Sequence, residues 1–268
     1  EGSRAAAARR TAGISNSGDL LLRSCQLRDN AATNQTLYAG GLGNNGSARL
    51  VACEVGPDNT AQAKFAGGGI ANDGEMDLIN CTVHNNTAAW SGGGIGNGDE
   101  GRLNLTNCSV GHNVAQNGGG GGLGNSGQVH IENSSFFANA AQGGGAIGTG
   151  IGHYYNDPNA TKPSSKNLAL VVVVGSEIRD NLARGSTQAG GGGGGIGNGA
   201  ALRLEKCTLR NNTAISGGGG IGTGGDPQRR DDFASVEIID SRLINNKAQS
   251  GGGLGNQFGG YVKMASSV

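Results

Sequence analysis

The sequence predicts an all-β fold: a right-handed parallel β-helix of about nine coils, with two loop insertions at one corner. Three observations predict it. Of 268 residues, 55 are glycine, and they cluster rather than scatter. Each cluster runs into an aliphatic residue, and these anchors recur with a period in the twenties. A second landmark, Cys or Ser, trails most anchors by a fixed 11 residues. A repeat of roughly 20–50 residues is the mark of a solenoid.

The anchors are Ile14, Leu42, Ile70, Ile95, Leu123, Ile147, Ile196, Ile221 and Leu254, at intervals of 28, 28, 25, 28, 24, 49, 25 and 33. Most are followed by Gly-Asn or Gly-Thr. The landmark is Cys25, Cys53, Cys81, Ser134 or Cys207 at 11 residues, Cys108 at 13, Ser241 at 20 and Ser176 at 29. Leu103, Leu105, Cys108, Val110, Asn113 and Ala115 show the pattern around it. Leu103 and Leu105 have period two and face one side of a strand. The three-residue step to Cys108 needs a bend. Cys108 and Val110 resume the period, and Asn113 stands at the next corner. Each coil therefore reads as two or three short strands. They lie parallel to those of the next coil at roughly 4.8 Å, giving a rod about 40 Å long. The hand follows from the right-handedness of parallel crossovers.

Rows of like residues should fill the narrow bore: Ile/Leu, Leu/Val, Cys/Ser and Ala. Asn30, Asn86, Asn113, Asn139, Asn181, Asn212 and Asn246 are expected to form a side-chain amide ladder, which stabilises stacked parallel strands. A second Asn row follows the anchors at Asn16, Asn44, Asn72, Asn97, Asn125, Asn198 and Asn256.

Composition narrows the function classes. Lys plus Arg is 20 and Asp plus Glu is 20, so no basic excess suits a nucleic-acid partner. Four prolines and no every-third glycine exclude collagen. The longest strongly apolar run, 168–174, is too short to cross a bilayer, so membrane insertion is not expected. Residues 1–10 are rich in Ala and Arg and lack the apolar stretch of a signal peptide. The chain is expected to be one β-helix domain, 1–268, of a larger protein.

Candidate sites follow from the repeat and from its interruptions. Cys25, Cys53, Cys81, Cys108 and Cys207 share one coil position. They are expected to be buried, mostly reduced thiols acting as small apolar filler, because parallel Cβ vectors suit a disulfide poorly. No Cys/His cluster suggests a metal, and no cofactor is expected. Asn-x-Ser/Thr occurs at Asn34, Asn45, Asn80, Asn85, Asn104, Asn107, Asn133, Asn159 and Asn211. These read either as glycan acceptors of a secreted protein or as inheritance of the repeat. Insertions at 150–167 and 224–235 leave the helix at one corner, two coils apart. They should bring His153, Tyr154, Tyr155 and Asp157 near Arg229, Arg230, Asp231, Asp232 and Phe233 as a loop contact surface.

Gly144-Gly145-Ala146-Ile147 and the segment from Phe136 to Asn139 resemble the GGA[ILV] and FxxN repeats of polymorphic membrane protein adhesins. The resemblance covers most of the chain as a repeat style. It implies a surface-exposed β-helix passenger that adheres to cells and self-associates. The expectation is thus an extracellular or cell-surface structural and adhesive protein, forming or joining a fibre. Its partners would be copies of itself, end to end or lateral, further domains of the same protein, or surface glycans. The alternatives are a glycan-binding adhesin using the insertion corner, and a polysaccharide lyase or hydrolase. An enzyme is not the expected reading, because most coil faces carry only Gly, Asn, Ser and Thr.

Overall fold

The computed structural model describes residues 13–33, 39–63, 67–150, 169–185, 192–224, 234–257 and 259–268. These residues form a parallel β-solenoid of about eight turns with every ladder parallel. Each full coil holds four short strands, not two or three. The anchors begin one nine-stranded sheet, from Ile14–Asn16 to Leu254–Gln257. A second nine-stranded sheet of five-residue strands runs from Asp19–Arg23 to Tyr261–Ala265. The landmark sheet has eight strands, from Gln26–Leu27 to Arg242–Ile244, and the alanine sheet seven, from Ala31–Ala32 to Thr213–Ala214. The ninth anchor begins a partial coil, which is why nine anchors make about eight turns.

The register is the one the repeat dictates. Leu103 pairs with Met76 and Val129, and Leu105 with Leu78 and Ile131. Alternation buries Leu103 and Leu105 and turns Arg102 and Asn104 outward. Seven consecutive anchors, from Leu42 to Ile221, are fully buried. The alanine strands are two residues long because the coil turns again at once, and Ala88, Ala115, Ala141 and Ala183 fill the inner side.

Two corners have a common backbone. At the first, the residue before the landmark has φ of 48–57°, namely Ser24, Ala52, Asn80, Asn107, Asn133, Gly175, Lys206, Asp240 and Ser266. At the second, the residue before the ladder Asn has φ of 51–61°, as at Asp29, Asp58, Asn85, His112, Ala138, Asp180, Asn211 and Asn245. This left-handed conformation favours Asn and Asp among side-chain residues.

The glycines serve a third feature. The turn preceding each anchor folds over the outer face of the next coil's anchor strand. A Cβ on Gly148 would lie 2.6 Å from the amide nitrogen of Gly120, and one on Gly255 would lie 2.8 Å from that of Gly218. The turns also stack on one another, with bridges Gly119 to Gly143 and Gly193 to Gly218. Backbone lies directly on backbone, so the anchor strand's second residue is Gly or Ala after all eight anchors from Leu42 onward.

Candidate functional site

The interior columns are polar relays as well as packing. The landmark side chain accepts the N–H of the landmark one coil earlier. Cys108 donates to Ser134 Oγ at 2.9 Å, Ser134 to Ser176 Oγ at 3.0 Å and Cys207 to Ser241 Oγ at 3.0 Å. Sulfur does the same work at longer distance: Cys53 N–H lies 3.4 Å from Cys81 Sγ. Each landmark then donates to the carbonyl two residues before it, as Ser134 does to Glu132 at 2.8 Å and Cys53 to Val51 at 3.4 Å. Cys53, Cys81, Cys108 and Cys207 do pack in the hydrophobic core, with the half-buried Cys25 against it, and the column adds hydrogen bonds to that packing: Cys and Ser interchange here because both can accept and donate. All five cysteines are free. Burial raises the thiol pKa of Cys53 and Cys207. Cys108 is raised first by the hydrogen bond it shares with Cys81 and then by burial.

The first Asn ladder stands, with one member added. Asn59 joins it, accepting from Asn30 Nδ2 at 2.9 Å and donating to Asn86 Oδ1 at 2.9 Å. It escaped the spacing because six residues, not five, separate it from Cys53. Asn113 shows the full pattern. Its Oδ1 accepts the backbone N–H and the Nδ2–H of Asn86, both at 3.0 Å, while its Nδ2 donates to Val83 O and Asn139 Oδ1.

The second ladder closes the turn into the five-residue strand. Asn44 Nδ2 donates to Asn72 Oδ1 at 2.8 Å and to Gly46 O at 3.1 Å. Thr149 and Thr223 interrupt it. Their hydroxyls accept from Asn125 at 3.4 Å and Asn198 at 3.1 Å, yet threonine has no amide with which to close the turn. The two long insertions follow these two threonines. The short addition after Ile95 is absorbed differently: Asn97 reaches Gly101 O, four residues on.

The proposed loop surface of His153, Tyr154, Tyr155, Asp157, Arg229, Arg230, Asp231, Asp232 and Phe233 lies outside the described residues, as do Asn34 and Asn159. The flanking strands, Ile147–Gly150 to Leu170–Val174 and Ile221–Gly224 to Ser235–Ile239, sit in the same two sheets as every other coil. Phe136, Asn139, Gly145, Ala146 and Ile147 are buried, and Gly144 takes φ of 69° in the glycine turn. The residues that carry the adhesin resemblance thus shape the coil.

The sequons have a structural cause. Asn45, Asn80, Asn85, Asn104, Asn107, Asn133 and Asn211 are all exposed. Asn80, Asn107 and Asn133 hold the first left-handed corner, and Asn85 and Asn211 the second. The Ser or Thr two residues later opens the next strand, half-buried. Corner chemistry therefore multiplies the motif wherever the coil repeats.

On the outer faces, charges pair along the rod axis. Arg210 Nε lies 2.6 Å from Glu177 Oε1, and Arg179 Nε lies 3.1 Å from Oε2. Arg179 also caps the Phe137 ring at 4.7 Å, and His112 meets that ring edge-on at 5.3 Å. Glu237 bonds Arg203 and Lys263, and Lys263 before the others holds its carboxyl below the usual range. Such exposed pairs contribute little stability each. Among the described residues no three His, Cys, Asp or Glu side chains converge as metal ligands, and no helix is long and apolar enough to cross a membrane.

The architecture defines the class: a parallel β-solenoid with a hydrogen-bonded interior. No family model matches the chain, and neither a curated protein nor a solved structure is similar to it.

Proposed function

We propose that this chain is an extracellular structural and adhesive β-solenoid that forms part of a surface fibre, either by stacking on copies of itself or by running into further coils of its own protein. The observation that carries the reading is the match between the first and last described coils. Ile14, Leu20, Leu22 and Cys25 occupy the interior columns that Leu254, Val262, Met264 and Ser267 occupy at the other end. Asn16 and Asn256 likewise hold equivalent positions after their anchors. A strand with an unpaired edge is a template for another. Tyr261–Ala265 and Asp19–Arg23 are equal in length and belong to one sheet, so they could pair as neighbouring coils do. Met264, 47% exposed, would then lie over Leu22. The exposed sequons suit an extracellular setting, and the finer likeness to polymorphic membrane protein passengers is part of this proposal.

Electron microscopy of the purified chain at rising concentration tests it. The reading expects straight rods whose lengths grow in multiples of one solenoid. Single rods of one length at every concentration would refute stacking.

A further inference from the structure

The first left-handed corner carries a side chain in every coil but one. Gly175 is the exception, with φ of 57°. Ser, Ala, Asn, Lys and Asp adopt the same conformation at that corner in other coils, so the backbone does not require glycine here. What glycine does is remove a side chain from an exposed column. Asn133 Oδ1 leans over this step, 2.8 Å from where a Gly175 Cβ would stand, and an open hollow of about 450 Å³ runs along the same corner. Its lining follows the corner over four coils, from Asn107 past Asn133 and Gly175 to Lys206, with Ser135, Glu177 and Thr208 on its flank. The Glu177 carboxylate is already held by Arg179 and Arg210, and Lys206 Nζ stands 3.7 Å from Glu205 Oε1. The lining thus offers hydroxyls, two side-chain amides and compensated charges.

We propose that this hollow binds a neutral pyranose unit of a glycan. A site of this size is large enough for a small ligand, but a typical pocket is walled by apolar side chains. Here the named groups are polar, which suits a ligand whose own surface is hydroxyl. Corner groups recur one coil apart, roughly 4.8 Å, so donors and acceptors face a sugar ring from two sides. The site lies at the opposite end of the five-residue strands from the insertions. It deepens the adhesive part of the proposed function and does not depend on stacking, since a monomer would keep it.

Saturation-transfer NMR with methyl pyranosides of glucose, galactose, mannose and N-acetylglucosamine tests the site. Wild type should transfer saturation to at least one of them. Gly175→Asn places at this corner the residue that Asn107 and Asn133 carry; its Cβ would push aside the exposed Asn133 amide, 2.8 Å away, and put a side chain into the hollow while the backbone conformation stays the same. It should weaken binding at least about tenfold. Thr208→Val, which removes a hydroxyl but keeps the strand, should weaken the same glycoside. No transfer from wild type, or equal transfer from Gly175→Asn, would overturn the proposal. Rods that stack without binding sugar would refute this site and leave the fibre standing; sugar binding without stacking would do the reverse.

Discussion

At the scale of the residue, the landmark position separates two ideas of what a small buried side chain does. As filler, Ser134→Ala would be nearly neutral. As a relay, it strips the buried Cys108 N–H of its acceptor, while Glu132 O keeps the N–H of Asn107 at 3.1 Å. Each buried group left unsatisfied costs about 1–3 kcal/mol, so Ser134→Ala should destabilise by about 2 kcal/mol. Ser134→Cys should stay within about 1 kcal/mol of wild type. Urea titration of the two variants decides it. The thiols add a pH dependence. Burial raises Cys53 and Cys207 above the ordinary thiol value, so the unfolded chain loses these protons first. The protection is complete below the unfolded value and is lost as pH rises from there through the folded one. Stability should therefore fall above about pH 8.5, and Cys53→Ser with Cys207→Ser should flatten that fall. The equivalence of Cys and Ser was legible from spacing alone. Their shared hydrogen bonding was not, because a period shows which residues stack and not what their polar atoms reach.

At the scale of the element, the glycine turn makes the sharpest contrast. Gly148 and Gly143 differ in surroundings, not in backbone hand, since neither has positive φ. A Cβ on Gly148 would meet the Gly120 backbone at 2.6 Å, whereas one on Gly143 would meet nothing within 4 Å. Gly148→Ala should cost several kcal/mol or abolish soluble expression, because backbone cannot swing aside as a side chain can. Gly143→Ala should be close to neutral. Thermal melts of the pair check this. The sequence shows where the glycine runs fall, just before each anchor, but not what they cover, since the anchor strand beneath them is invisible to a linear pattern. Asn113→Ala tests the ladder in the same way. It deprives Asn86 of one acceptor for two donors and should destabilise by about 3 kcal/mol. Asn59 shows how the ladder could hide: one extra residue at Gly56–Pro57 shifts the count while Asn59 still bonds Asn30 and Asn86.

At the scale of the whole molecule, the period fixed the coil and the register, because one buried column per landmark leaves no freedom to slip by a residue. Function was less legible. The motif residues from Phe136 to Ile147 proved to be coil-formers, and the hollow along the Gly175 corner is lined by residues of four coils, which no linear motif brings together. The central claim is that like residues stack in hydrogen-bonded columns along the rod. Hydrogen exchange of asparagine side-chain amides tests it most directly, since buried, bonded amides exchange only on opening. The account predicts two populations in NMR: protected Nδ2 amides at Asn44, Asn72, Asn86, Asn113, Asn139 and Asn181, and fast exchange at the corner residues Asn80, Asn107, Asn133 and Asn211. Equal exchange at all of them would contradict it.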